Sequence, residues 1–175
     1  MRYFVEEILP ATFLVRHAIY MQTCAHIELE AWRLILLLEG FDPTSPEQVD
    51  RFLTTKKLTP RLIKALRSAA SSCKVGFAVR IYSVANRIEI GLTNRNLAAH
   101  GAWKFDVEQE KLSAEFYWQQ GEGKSKQWVH NDGTFTIREI DAAVEDADLL
   151  LRELIEIRKE LLSQSRSRVF APQGI

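Results

Sequence analysis

Cysteine is scarce in this chain of 175 residues: Cys24 and Cys73 sit far apart, each among apolar or small neighbours. Two isolated thiols make no disulfide framework, and without a C-x-x-C pair there is no zinc signature. A reducing, cytoplasmic setting is therefore expected. Long hydrophobic runs are missing too. The most apolar stretch, LILLL at 34–38, is closed by Arg33 and Glu39, and a bilayer span needs about 20 apolar residues, so no membrane partner is expected. The opening MRYFVEEILP carries acids where a secretory signal has its apolar core, which argues against secretion. No internal repeat or low-complexity linker occurs, and the length suits one domain better than two.

Acidic residues are absent from the middle of the chain rather than from the whole. Net charge is zero, yet residues 51–104 hold 11 Lys or Arg against the single acid Glu89, and the remainder holds 12 against 22. A solvated face mixes signs, so this asymmetry favours an anionic partner, or else a match between basic middle helices and an acidic final helix.

Helical spacing dominates the pattern. From about Pro10 to Glu39, Phe13, Leu14, Met21, Cys24, Ile27, Leu29, Trp32 and Ile35 recur mostly three or four apart, and Gly40 is a natural stop. Ser45-Pro46-Glu47-Gln48 has capping-box spacing, and Thr59–Pro60 opens a helix through Leu62, Leu66 and Ala69. A long segment from about Lys74 to His100 carries one stripe of Phe77, Ile81, Val84, Ile88 and Leu92. AWKFDV, LSAEFYWQ and KQWVHND then alternate and are rich in aromatics, with GEGKS as a break, so a small hairpin or meander is predicted. Thr136 with Glu139 starts the last helix, whose buried side reads Ile140, Val144, Ala147, Leu151, Leu154 and Leu161. The fold class expected is mainly α: a bundle of about four main helices with a strand insertion before the last helix. One domain over 1–162 and a basic, disordered tail over 163–175 complete the expectation.

Within TNRNLAAHGAW, residues 93–103, three side chains suit a phosphodiester. Arg95 can bind two phosphate oxygens as a fork. Asn96 can donate to phosphate, and His100 can give or take a proton near neutral pH. Asn96 and His100, four apart, share a helix face, whereas Arg95 lies about 140° from His100 in ideal geometry. The competing account is ordinary helix-end chemistry: a histidine in the last turn, followed by a glycine cap.

The string Arg95-Asn96-Leu97-Ala98-Ala99-His100, followed by Gly101, resembles the R-polar-x-x-x-H signature of the HEPN superfamily. Its place late in a long helix, before a stranded connection and an acidic last helix, is similar as well. The resemblance implies a HEPN-like helical domain from about Pro10 to Leu162. It further implies a metal-independent ribonuclease needing no cofactor, with Arg95, Asn96 and His100 as catalytic residues. His100 would assist attack of a ribose 2′-hydroxyl, Arg95 would stabilise charge on the phosphoryl oxygens, and Asn96 would position the scissile group. It implies a homodimer that pairs two such motifs, RNA as substrate, and a toxin or defence setting. An antitoxin or nucleotidyltransferase-type partner belongs to that setting, although position 102 is Ala where toxins of that branch carry tyrosine. Many HEPN domains only bind or scaffold, so a non-catalytic dimerising module for nucleotide, RNA or protein is the alternative.

Other residues carry weaker signals. Glu28 or Glu30 could support His100 or Arg95 by a charge-assisted bond, or else pair with nearby arginines. Arg80 and Arg87, seven apart, could extend a phosphate-binding stripe or bridge to the acidic final helix. His17, Cys24 and His26 do not converge as zinc ligands need to, so no metal is expected. Trp103, Phe105, Phe116, Tyr117, Trp118 and Trp128 could stack bases or simply pack the hairpin, and His130 reads as a surface residue.

Overall fold

Glycine ends the first long helix because the chain must turn left-handed there. A computed structural model of the protein describes residues 3–55, 59–120 and 126–169, without side chains at 51–55, 59–60, 120 and 165–169. Along these residues run α1 (Val5–Ile8), α2 (Ala11–Leu38), α3 (Pro46–Thr55), α4 (Thr59–Ala70) and α5 (Val75–His100). Strands β1 (Ala102–Asp106), β2 (Lys111–Gln120) and β3 (Gln127–Thr136) follow, and α6 (Ile137–Val169) closes the sequence. The protein is mainly helical, with a small three-stranded antiparallel sheet before the last helix. Among the described residues no helix is long and apolar enough to cross a membrane.

The chain, expected as one domain, groups into two compact units: Met1–Cys24 with Gly91–Ala147, and Ala25–Ile90 with Asp148–Ile175. Helices α2, α5 and α6 each contribute residues to both. The helix α6 reaches Val169, so residues 163–169 are helical where a disordered tail was predicted. Residues 170–175, the GEGKS break and the side chains of Thr59 and Pro60 lie outside the described parts.

In the all-helical unit, Gly40 has φ +83°. Phe41 N–H donates to Leu36 O at 2.9 Å and Gly40 N–H to Leu37 O at 3.2 Å, the paired bonds of a Schellman cap. At α3, Ser45 Oγ accepts from Gln48 N–H at 3.4 Å, but the Gln48 side chain takes the N–H of Asp42 at 2.6 Å instead of closing the box on Ser45. Asp42 is already committed to Thr44, which it holds through both backbone and hydroxyl. Leu34, Ile35, Leu36, Leu62, Leu66, Ile81, Val84, Leu154 and Ile157 are fully buried here.

Its charges are matched internally. Arg80 bonds both oxygens of Glu160 at 2.9 Å, and Arg87 reaches Glu153 at 3.3 Å. The two pairs repeat at seven residues on each helix in opposite sense, which is the spacing of one shared helical stripe. Arg67 holds Glu89, the lone acid of the basic segment, at 2.6 Å, together with Asn86. The acidic final helix thus balances part of the basic middle.

In the strand-bearing unit the order is β1-β2-β3, with Trp103 opposite Ala114 and Ala114 opposite Gly133. Alternation puts Trp103, Phe105, Leu112, Phe116, Trp118 and Phe135 on one face. Leu9, Phe13 and Leu112 form the buried centre, against which Leu14, Trp103, Phe105, Ile137 and Ile140 pack. Arg16 pairs with Asp141, tying the start of α2 to the start of α6. The capping box read from Thr136 and Glu139 is complete. Thr136 N–H and Oγ1–H donate to Glu139 Oε2 at 2.7 and 2.9 Å, while Glu139 N–H donates to Thr136 Oγ1 at 3.2 Å.

Candidate active site

The last turns of α5 carry the phosphate-suited residues because they end a long helix against the sheet. His100 is the final helical residue, and Gly101 N–H still donates to Leu97 O at 2.8 Å. Gly101 is not left-handed; Gly40 is the one described glycine with positive φ. Its smallness serves close approach instead. A Cβ at 101 would stand 2.4 Å from Leu97 O and 3.4 Å from the Ala114 Cβ. The glycine expected as a left-handed cap is a spacer that lets the helix pass directly into β1.

A helix end leaves carbonyls without intrahelical donors. His17 supplies one: its Nε2 lies 2.8 Å from Ala98 O. A carbonyl can only accept, so that nitrogen carries the proton. The helix-end role considered for His100 is therefore taken, at Ala98, by a residue from α2. His100 is exposed, and its ring centroid lies 6.0 Å from that of Phe116. Among the described residues no hydrogen bond to His100 is found. Phe116 in turn stacks on Trp118, with centroids 4.9 Å apart and planes at 23°.

Arg95 and Asn96 are half-buried one turn earlier, and Arg95 Nη1 donates to Asn96 Oδ1 at 3.2 Å. Tyr20 feels the charge of Arg95. Burial pushes the Tyr20 hydroxyl well above its ordinary value, Cys24 and Asp146 add to the rise, and Arg95 opposes it. The phenol therefore stays protonated and able to donate at any physiological pH.

Most of the remaining sequence candidates have partners of their own. Glu30 is 6% exposed and is held by Arg33 at 2.6 Å and Arg158 at 2.7 Å. It is the buried acid of the all-helical unit and holds neither His100 nor Arg95. Glu28 is half-buried on α2. Arg80 and Arg87 are occupied by Glu160 and Glu153, the ion-pair account of the two weighed for them. His130 stacks on Tyr117 with centroids 4.4 Å apart and faces Glu115 at 3.5 Å. Among the described residues, no group of three or more His, Cys, Asp or Glu is placed to hold a metal.

Sequence reasoning missed a cavity of about 260 Å3 in the strand-bearing unit, lined by His17, Tyr20, Asn94 and Trp103 among others. Its residues come from α2, α5, β1, β3 and α6. No single run of sequence contains them, and only the proximity of Asn94 to the motif hinted at it. No protein-family model, no curated protein and no solved structure matches the chain.

Proposed function

We propose that the protein is a metal-independent RNA endonuclease of HEPN-like type, working as a homodimer in a toxin or defence setting. One observation carries the reading. His100 stands exposed at the end of α5 while His17 serves the Ala98 carbonyl, so His100 is left for chemistry one turn from Arg95 and Asn96. A histidine kept only as a helix cap would be engaged with the helix end.

In this reading His100 takes the proton of a ribose 2′-hydroxyl as its oxygen attacks the adjacent phosphorus. The leaving 5′-oxygen departs with a proton from the second protomer's histidine, giving a 2′,3′-cyclic phosphate end. Arg95 neutralises charge growing on the non-bridging oxygens, and its bond to Asn96 holds the two side chains as one polar edge. Phe116 and Trp118, beside His100, give a flat surface on which an unpaired base can rest.

The second reading is a non-catalytic dimerising module that binds nucleotide, RNA or protein. The half-burial of Arg95 and its bond to a neighbour on the same turn favour it. Labelled single-stranded RNA incubated in EDTA with the wild type and the His100→Ala variant separates the two. Cleavage by the wild type alone, leaving cyclic-phosphate ends, supports the nuclease; binding by both without cleavage supports the module.

A further inference from the structure

We propose that the exposed face of α5 in the all-helical unit is where a second copy of this chain docks. The inference takes the homodimer from the reading above and its surface from this face. Val75, Val79, Tyr82, Ser83, Asn86 and Ile90 fall within about 100° of one another around the helix. All six are exposed, Val75 and Ile90 at 80% and Val79 at 63%, so the described residues leave them uncovered. None is charged. Single apolar residues at a surface are ordinary, but a solvated helix face carries charged or strongly polar side chains. Four large apolar side chains in line over about four turns, with no charge between them, mark a contact surface.

The borders of the stripe decide which partner fits. On one side Arg80 and Arg87 are bonded to Glu160 and Glu153 of α6, and on the other Arg67 of α4 holds Glu89. Three cations meet three acids, and the border is neutral. RNA or an anionic membrane surface would call for unspent Lys or Arg there. A two-fold dimer instead lays a patch on the same patch, where any net charge would repel itself. An apolar centre inside a paired, polar rim is the anatomy of a protein interface.

Spacing and size agree with a helical partner. Val75, Val79, Tyr82 and Asn86 follow a 4-3-4 step, the seam spacing of paired helices. Asn86 is the hydrophilic member of that seam, and Arg67 bonds its side-chain oxygen at 2.6 Å. A lone asparagine in such a seam fixes register and copy number. From Val75 to Ile90 the helix runs about 22 Å. With α4 and α6 about 9 Å to either side, the face covers on the order of 600 Å2 per protomer, the lower bound of a specific interface. The dimer should therefore be reversible and dependent on concentration.

Sedimentation of the wild type over a range of concentrations, beside Val79→Glu and Ile90→Glu, tests the face. The wild type should pass from monomer to dimer as concentration rises. Each variant should raise the dissociation constant at least about tenfold, because it buries an unpaired charge at the contact. Both positions are exposed, so the variants should fold, and unchanged circular dichroism and melting temperature of the monomer check that. Val15→Glu, on α2 in the other unit and 60% exposed, should leave the dimer as it is. A wild type that stays monomeric overturns this face and the homodimer reading together. A dimer that both variants keep, or that Val15→Glu weakens as much, removes the face and spares the homodimer. Weaker RNA binding by the variants with copy number unchanged assigns the face to RNA and also overturns the proposal. Monomeric variants that still cut RNA in EDTA keep the face and remove the histidine shared between protomers.

Discussion

His17 Nε2 lies 2.8 Å from the carbonyl oxygen of Ala98, so the end of one long helix is closed by the side chain of another. The imidazole packs against both Phe13 and Trp103, with ring centroids at 5.6 and 6.0 Å, and those two rings also pack on each other at 4.9 Å. The same histidine borders the cavity. Closing the helix, packing the aromatic cluster and shaping the pocket are thus one residue's task, and His100 is spared all three.

That division of labour predicts opposite outcomes for the two histidines. His17→Ala should cost about 1–3 kcal/mol, because the Ala98 carbonyl loses its donor in a half-buried place. His100→Ala, at an exposed position, should stay within about 0.5 kcal/mol of the wild type. Urea unfolding of both variants checks this. Equal losses would mean that His100 is also a structural residue.

Turnover should respond in the reverse order. If the nuclease reading holds, His100→Ala removes general acid–base help worth a factor of about 10²–10⁴. Arg95→Lys keeps the charge but loses the fork, so activity should fall although RNA binding persists. Single-turnover cleavage of labelled RNA gives both numbers. Unchanged cleavage in His100→Ala would remove this residue from the mechanism.

Glu30 predicts a large structural effect with no catalytic signature. It is buried, with Arg33 and Arg158 both bonded to it. Glu30→Ala strands two guanidinium groups, one of them mostly buried, and should destabilise by about 3–5 kcal/mol. Replacing the pair together, Glu30→Leu with Arg158→Met, should recover most of that loss. Chemical denaturation of the single and double variants decides it, and a double variant as unstable as the single would contradict the ion-pair account.

Arg80 and Arg87 should matter little to RNA. Each is neutralised by a glutamate of α6, in pairs exposed enough to be worth about 0–1 kcal/mol. Arg80→Ala and Arg87→Ala should leave the salt dependence of RNA binding unchanged, whereas a true phosphate contact would lower the slope of log K against log salt by about 1. Filter binding at several salt concentrations measures that slope.

The helices and strands were legible because each follows a local rule. Of the stripe that the spacing predicts on α5, Phe77, Ile81, Val84 and Ile88 are buried and Leu92 is half-buried. Thr136 and Glu139 form the capping box that their separation implies. Local rules fail where a distant residue competes. Gln48 was open to Ser45 but is claimed by Asp42. Leu150 and Ile157 are buried on α6, whereas Leu151 and Leu161 of the predicted stripe are only half-buried, because packing and not period sets the depth of each position. Gly101 was legible as a necessary glycine, but not for its reason, since the Leu97 carbonyl and the Ala114 side chain that crowd it are set by the helix-to-strand path. His17 could not be read as the cap of Ala98 at all, because 81 residues separate them.

The capping box also predicts how stability changes with acid. The backbone N–H of Thr136, and then its hydroxyl, hold the Glu139 carboxyl below its ordinary 4.5. In acid the unfolded chain therefore takes up this proton before the folded one does, and stability rises with pH across that interval. The contribution is whole above about pH 4.5 and is lost as pH falls through the folded value. Asp42 and Glu89 are lowered in the same direction, by Thr44 and Arg67, so the wild type should lose stability in acid from all three. Glu139→Gln isolates one of them: it keeps an acceptor for Thr136 but no charge. Urea midpoints measured from roughly pH 3 to pH 7 should show the wild type ahead at the neutral end and the two proteins converging in acid. A gap that stays constant with pH would mean that the Glu139 charge does not stabilise the start of α6. Thr136→Ala, which removes the reciprocal acceptor of the Glu139 N–H, should cost about 1 kcal/mol at neutral pH.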